Sequence, residues 1–77
     1  MSKLETAKEI IKELYEFGID CGIYNSRNIA GDQMDTIYDD GELKIDICYH
    51  YSYLEVFGLS CTDFRELELF YNGLTQK

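Results

Sequence analysis

Six of the fifteen residues from Asp32 to Asp46 are acidic (Asp32, Asp35, Asp39, Asp40, Glu42 and Asp46), and only Lys44 answers them. Carboxylates so concentrated can do three kinds of chemistry. They can hold a hard cation, serve in acid–base work, or attract a cationic partner. A calcium loop of the EF-hand kind needs Asp-x-Asp-x-Asp-Gly with a glutamate six residues on, and Asp32, Asp35, Asp39, Asp40 and Glu42 do not follow that order. Acid–base or nucleophilic work would call on Cys48 and His50, two apart in a strand and so on one side, with Asp46 and Glu55 nearby as orienters. An open sheet face supplies neither oxyanion donors nor water exclusion, so a chance neighbourhood of thiol and imidazole is the stronger reading. Zinc wants four ligands where two are placed. No cofactor and no catalytic or metal-binding residue is expected, and attraction of a cationic partner remains.

Composition points the same way. Seventy-seven residues with fifteen carboxylates against seven cationic side chains give a net charge of −8. From Asp20 to Asp63 nine acids face only Arg27 and Lys44. That bias repels nucleic acid and favours basic surfaces. A chain this short reads as a single domain over 1–77, too small to house a deep active-site cleft easily, which favours a binding module over an enzyme. Its 45% hydrophobic and 14% aromatic content is that of a folded chain. Cys21, Cys48 and Cys61 are odd in number and show no Cys-x-x-Cys spacing, which fits reduced thiols in a cytoplasm. No apolar run is long enough for a signal peptide or a membrane span.

The elements that must position these residues are legible in outline. Leu4, Ala7, Ile11 and Leu14, widened by Ile10 and Phe17, form one helical stripe, with Glu5, Glu9, Lys12, Glu13 and Glu16 facing water. Ser2 and Glu5 make a capping box and Gly18-Ile19 a left-handed stop, so a helix is expected from about residue 3 to about 17. A second helix carries Phe64, Leu67, Phe70, Tyr71 and Leu74 on one side. Ser60 or Thr62 caps it, and Asn72-Gly73 ends it. Leu69 falls off that stripe, as a second contact surface or as an ordinary exposed leucine.

Between the helices a β-meander is expected. Asp40-Gly41 reads as a two-residue type I′ turn. It sets Tyr38 opposite Leu43, Thr36 opposite Ile45 and Met34 opposite Ile47 on an oily face. The outer face then pairs Asp39 with Glu42, Ile37 with Lys44 and Asp35 with Asp46, two like-charge oppositions that each cost stability. A second turn at Tyr51-Ser52 or His50-Tyr51 keeps Ile45, Ile47, Tyr49, Leu54 and Val56 together. Cys48, His50, Tyr53, Glu55 and Phe57 then point outward with Asp35 and Asp46, and the earlier turn sets Glu55 opposite Asp46. Residues 19–33 read as an extra edge strand from the alternation of Ile19, Cys21 and Ile23, or as a loop with turns at Asn25-Ser26-Arg27-Asn28 and Gly31-Asp32. Tyr15, Tyr38, Tyr49 and Tyr71 read as core. The fold class is α+β: helix, three-stranded antiparallel meander with an optional fourth edge strand, helix, in a two-layer sandwich.

Aromatics interleaved with like charges on an outward face read as a partner-binding surface. Its residues are Asp35, Ile37, Asp39, Asp40, Glu42, Asp46 and Glu55, with Tyr53 and Phe57 as apolar anchors. Carboxylates spaced along twisted strands can stand where backbone phosphates would. A very small, acidic helix–meander–helix chain of this kind resembles the type II anti-CRISPR inhibitors, phage proteins that occupy the duplex-binding surface of an RNA-guided nuclease. The resemblance is one of architecture and charge over most of the chain, carried by no motif. This chain also shows no counterpart of the additional terminal helix of the best-known inhibitor of that shape. It implies a non-enzymatic inhibitor in a bacterial host cytoplasm, whose partner is the basic surface of a nucleic-acid-processing protein such as a CRISPR nuclease. The same element order occurs in double-stranded RNA-binding domains, but Cys61-Thr62-Asp63-Phe64-Arg65-Glu66 offers no lysine cluster to grip phosphates. The alternative from another class is a small structural or regulatory module, a homodimer or assembly subunit, whose acidic face only solvates it.

Overall fold

The computed structural model describes residues 2–25 and 33–76. The elements run α1 (Lys3–Glu16), β1 (Gly22–Tyr24), β2 (Asp35–Asp39), β3 (Lys44–Cys48), β4 (Tyr53–Phe57) and α2 (Cys61–Thr75). The chain is therefore α+β. It divides into a helical unit, Met1–Asp20 with Leu59–Lys77, and a sheet unit, Cys21–Gly58.

In the helical unit, sequence and structure agree closely at the caps. The Ser2 hydroxyl accepts from the Glu5 N–H at 3.2 Å, satisfying one of the donors that a helix start leaves over. At the other end Gly18 takes φ +87°, its N–H reaches the Tyr15 carbonyl at 2.9 Å, and the Ile19 N–H reaches Leu14 at 3.0 Å. This pair of bonds is the Schellman stop that a glycine one residue past the cap permits. Ala7 and Ile11 are buried, whereas Phe17, assigned to the stripe by spacing, is largely exposed at the cap. Ser60, not Thr62, caps α2, accepting from the Asp63 N–H at 3.1 Å. Phe64, Leu67 and Tyr71 are buried and Leu69 is exposed. Asn72-Gly73 does not end the helix. Gly73 has no positive φ, and α2 continues to Thr75, where the Gln76 N–H closes on the Asn72 carbonyl at 3.0 Å. Glycine only lowers helix stability, by about 1 kcal/mol, when nothing draws it into the left-handed region. Tyr71 also donates to the Asp20 carboxylate at 2.7 Å and meets the Tyr15 ring edge-on at 6.3 Å.

The sheet is four-stranded and mixed, in the order β1-β4-β3-β2, not a three-stranded antiparallel meander. The optional edge strand exists, but it pairs parallel to β4, with Gly22, Ile23 and Tyr24 opposite Tyr53, Leu54 and Glu55. Three residues of alternation carry no information about pairing direction, so this part of the topology has no local signature. The turn expected at Asn25-Ser26-Arg27-Asn28, apart from Asn25, and that at Gly31-Asp32 lie outside the described residues, as does Asp32 itself.

Register corrects the first hairpin. Asp39 pairs with Lys44 and Tyr38 with Ile45; then the register shifts at Ile37, so that Thr36 pairs with Asp46 and Asp35 with Ile47. The turn is not type I′, because among its residues only Gly41 has a positive φ, at +91°. Asp40 instead donates its N–H to the Leu43 carbonyl at 3.2 Å, and its carboxylate accepts from the Glu42 and Leu43 N–H groups at 2.9 and 2.7 Å. An aspartate side chain thus does the work of a turn carbonyl, and the loop spans the four residues Asp40 to Leu43 instead of two. In the second hairpin the earlier of the two expected turns is found: Asp46 pairs with Glu55, Ile47 with Leu54 and Cys48 with Tyr53.

Ile45, Ile47, Leu54 and Val56 fill one face and are buried, each contributing about 1.5–3 kcal/mol. Tyr49, placed on that face by parity, lies beyond the end of β3 and is 61% exposed. The two hairpins are locked together at Gly58. It takes φ +96°, and a side chain there would run into the carbonyl of Glu42. Gly58→Ala is expected to lower stability by about 3 kcal/mol or more. Gly41→Ala, which meets nothing within 4 Å, should lose only about 1–2 kcal/mol for its left-handed backbone. Denaturant midpoints of the two variants against the parent test this ordering.

Candidate functional site

The structure separates the expected partner surface into an exposed part and a buried part. Asp35, Asp39, Asp40 and Glu42 are exposed, and Ile37 and Phe57 are half-buried. Asp46, Tyr53 and Glu55, expected to point outward into solvent, are instead buried: Asp46 is 6%, Tyr53 6% and Glu55 0% exposed. Cys48, on the same side, is buried as well. Among the described residues, side chains on both faces of the central strands β3 and β4 are therefore buried, and Asp46 and Glu55 do not form an open acidic face.

The like-charge oppositions expected in the first hairpin are also absent. Lys44 stands opposite Asp39, and Thr36 stands opposite Asp46 and donates its hydroxyl to the Asp46 carboxylate at 2.7 Å. Lys44 reaches Asp46 at a looser 3.7 Å from a half-exposed position. The short bond from Thr36 is the stronger restraint, because the exposed end of the ion pair is screened by water. The Asp39–Lys44 pairing follows from the longer turn and the Thr36–Asp46 pairing from the bulge at Ile37, which brings the Thr36 hydroxyl rather than the Ile37 side chain to Asp46. Only the Asp46–Glu55 opposition remains, so the row across the three strands is hydroxyl, carboxyl, carboxyl.

At the hairpin tip the acids are held by backbone. The Asp39 carboxylate accepts from the Gly41 N–H at 3.0 Å, and Asp40 accepts from Glu42, Leu43 and the Tyr38 hydroxyl, the last at 3.0 Å. The Leu43 and then the Glu42 N–H bonds hold the Asp40 carboxyl below its ordinary pKa. The same contact with Asp40 raises that of Tyr38, since the phenol must keep its proton to donate. Glu42, the third acid of the tip, is exposed.

At the far end of β3 lies a feature that sequence reasoning missed. Tyr24 meets Tyr53 edge-on at 5.5 Å, Tyr51 lies 6.3 Å from Tyr53, and His50 meets Tyr51 edge-on at 4.6 Å. His50 is thus turned to an exposed tyrosine while Cys48 is buried, so the Cys48–His50 pairing considered for catalysis has no support in their placement. The pairing Gly22–Tyr53, which brings Tyr24 into the cluster, was invisible because it depends on the parallel strand. Among the described residues no group of three or more His, Cys, Asp or Glu side chains is placed to hold a metal ion, and no helix is long and apolar enough to cross a membrane. Cys21, Cys48 and Cys61 are not joined by disulfides.

Comparison with family models, with curated proteins and with solved structures finds no match, and the reading of these surfaces rests on their geometry alone.

Two outcomes are expected. Thr36→Val, which removes a donor from a buried carboxylate, should cost about 1–3 kcal/mol in chemical denaturation, while Thr36→Ser should stay close to the parent. Because folding lowers the pKa of Asp40, its contribution to stability is present above the ordinary carboxyl value and is lost as pH falls through the lower folded value. Thermal melts from pH 6 down to pH 2 should show Asp40→Asn with a shallower loss at the acid end than the parent.

Proposed function

We propose that this chain is a non-enzymatic acidic binding protein. It inhibits a nucleic-acid-processing protein, such as a CRISPR nuclease, by occupying its basic surface as a nucleic-acid mimic. The observation that carries this reading is the β2–β3 hairpin, which exposes Asp35, Asp39, Asp40 and Glu42 with two of the four tied to backbone N–H groups. Fixed anions lose little conformational freedom when they dock, and their charge steers the encounter with a cationic surface. Asp46, Tyr53 and Glu55 support the hairpin from within rather than touching the partner, and Ile37 and Phe57 present only partial surface.

A second reading has an observation in its favour. Asp39, Asp40 and Asp46 each perform a structural task inside the sheet unit, so much of the acidity is explained without a partner. This is what a small structural or regulatory module, a homodimer or an assembly subunit, would show.

Charge reversal at Asp35 and Glu42, which leaves the turn bonds of Asp39 and Asp40 in place, separates these readings. The tagged protein and its Asp35→Lys/Glu42→Lys variant are used to capture partners from nuclease-treated bacterial lysate at low and at high salt, with bound proteins identified by mass. The proposal expects a DNA- or RNA-handling protein on the parent alone, lost at high salt, with variant affinity reduced at least about 10-fold and folding stability changed by less than about 0.5 kcal/mol. Retention of the same partners by the variant, or salt-independent self-association, would sink it in favour of the structural module.

A further inference from the structure

The tyrosine cluster at the far end of the sheet is built rather than incidental. Gly22 and Tyr24 lie on the same side of β1, and the Tyr24 ring folds back over Gly22 so closely that a Cβ there would sit 3.0 Å from its Cε2. A side chain at that position would push the ring aside by a few tenths of an ångström. On the other side, Ser52 takes φ 56°, a left-handed conformation that a non-glycine residue adopts at a cost, and its carbonyl accepts from the Gly22 N–H at 2.9 Å. That bond ties the turn to the edge strand, and both Tyr24 and Tyr51 meet the buried Tyr53 ring. The outcome is a run of rings from Tyr24 through Tyr53 and Tyr51 to His50, in which Tyr24 at 52% and Tyr51 at 58% are more than half exposed.

Charge selects the occupant. Between Cys21 and Gly58 the chain carries seven carboxylates against Arg27 and Lys44. Lys44 lies with Asp39, Asp40 and Glu42 at the opposite end of β3 from the tyrosines, and Asp35, opposite Ile47, is the exposed acid on the tyrosine side of that hairpin turn. Exposed aromatic faces in such a field attract a cation through the ring quadrupole as well as through the net charge. A base from nucleic acid would stack on the same rings, but its phosphates would be repelled. We infer that Tyr24 and Tyr51, flanking Tyr53, form a docking site for an arginine or lysine side chain of a protein partner. The site gives the acidic hairpin a second, aromatic point of attachment at the other end of the same sheet. This deepens the cationic-partner reading above and rests on it.

The test uses a capped tetra-arginine peptide as probe, followed by the tyrosine ring and backbone amide signals in NMR. The proteins are the parent, Tyr51→Leu, Tyr51→Phe, Tyr24→Leu, Tyr24→Phe and Asp35→Lys/Glu42→Lys. The inference expects saturable shifts of the Tyr24 and Tyr51 rings, affinity kept in each Phe variant and lowered roughly two- to five-fold in each Leu variant. Equal binding by the Leu and Phe variants would overturn it, since an apolar contact does not need a π face. Shifts confined to the Asp39–Leu43 amides would overturn it while leaving the hairpin reading intact. Ring shifts that survive the double charge reversal undiminished would uphold the aromatic site and count against the hairpin. Ring shifts that follow the protein's own concentration rather than the peptide would overturn it in favour of a second copy as occupant, and ring shifts with a single-stranded oligothymidine would do so in favour of base stacking. No shift with any probe would overturn both readings. If a Leu variant lost its dispersed amide spectrum, the parent ring shifts and the Phe variants would still decide.

Discussion

A carboxylate that is almost wholly withdrawn from water must be given donors, and the way Asp46 obtains them organises much of the sheet. Its principal donor is the Thr36 hydroxyl, which reaches it only because β2 bulges at Ile37. Without the bulge, the register set by Tyr38 and Ile45 would bring Ile37 opposite Asp46, and the carboxylate would face an apolar side chain that donates nothing. The bulge costs one unpaired residue in the ladder. Asp35, beyond the bulge, is exposed on the edge strand, and a kinked, charged edge strand is a poor template for pairing with another chain.

The same local logic recurs at the tip. Asp39 and Asp40 read as free surface charge when only composition is counted, yet each is tied to an N–H of the turn. Lys44 sits across from Asp39 in the ladder, where it offsets one of them. Acidity in this chain is therefore of three kinds: turn-building, internally satisfied and outward. Glu42 and Asp35 stand closest to the third kind. A surface made of a few fixed charges and a few exposed rings has the mixed character of interfaces in which a small number of residues carries most of the affinity.

How much of this was legible follows from the range of the interactions. Helix ends were legible because Ser2, Gly18 and Ser60 act on neighbours within a few residues. Gly73 shows the limit of that reasoning, since a glycine is a stop only where the chain bends after it. The second hairpin was legible to within its two parity-preserving turns, because the oily residues of β3 and β4 had to meet. The first hairpin was not, because a side-chain acceptor at Asp40 and a bulge at Ile37 each displace the register, and neither leaves a trace in hydrophobic alternation. The buried side of β3 and β4 was misjudged for a related reason. Carboxylates and a cysteine alternate there as on a solvated face, and only tertiary cover distinguishes the two. The parallel placement of β1 lay beyond any local pattern.

That parallel strand also bears on the order of assembly. The two hairpins join residues close in sequence, so their ladders can close quickly and at modest entropic cost, whereas β1 must find β4 across some thirty residues of intervening chain. It is three residues long, is paired along one edge only and sits at the margin of the sheet. An element of that kind docks last and opens first. Because Tyr24 rides on it, the ring cluster is completed only when the final strand is in place, and the aromatic surface reports that the chain has finished folding.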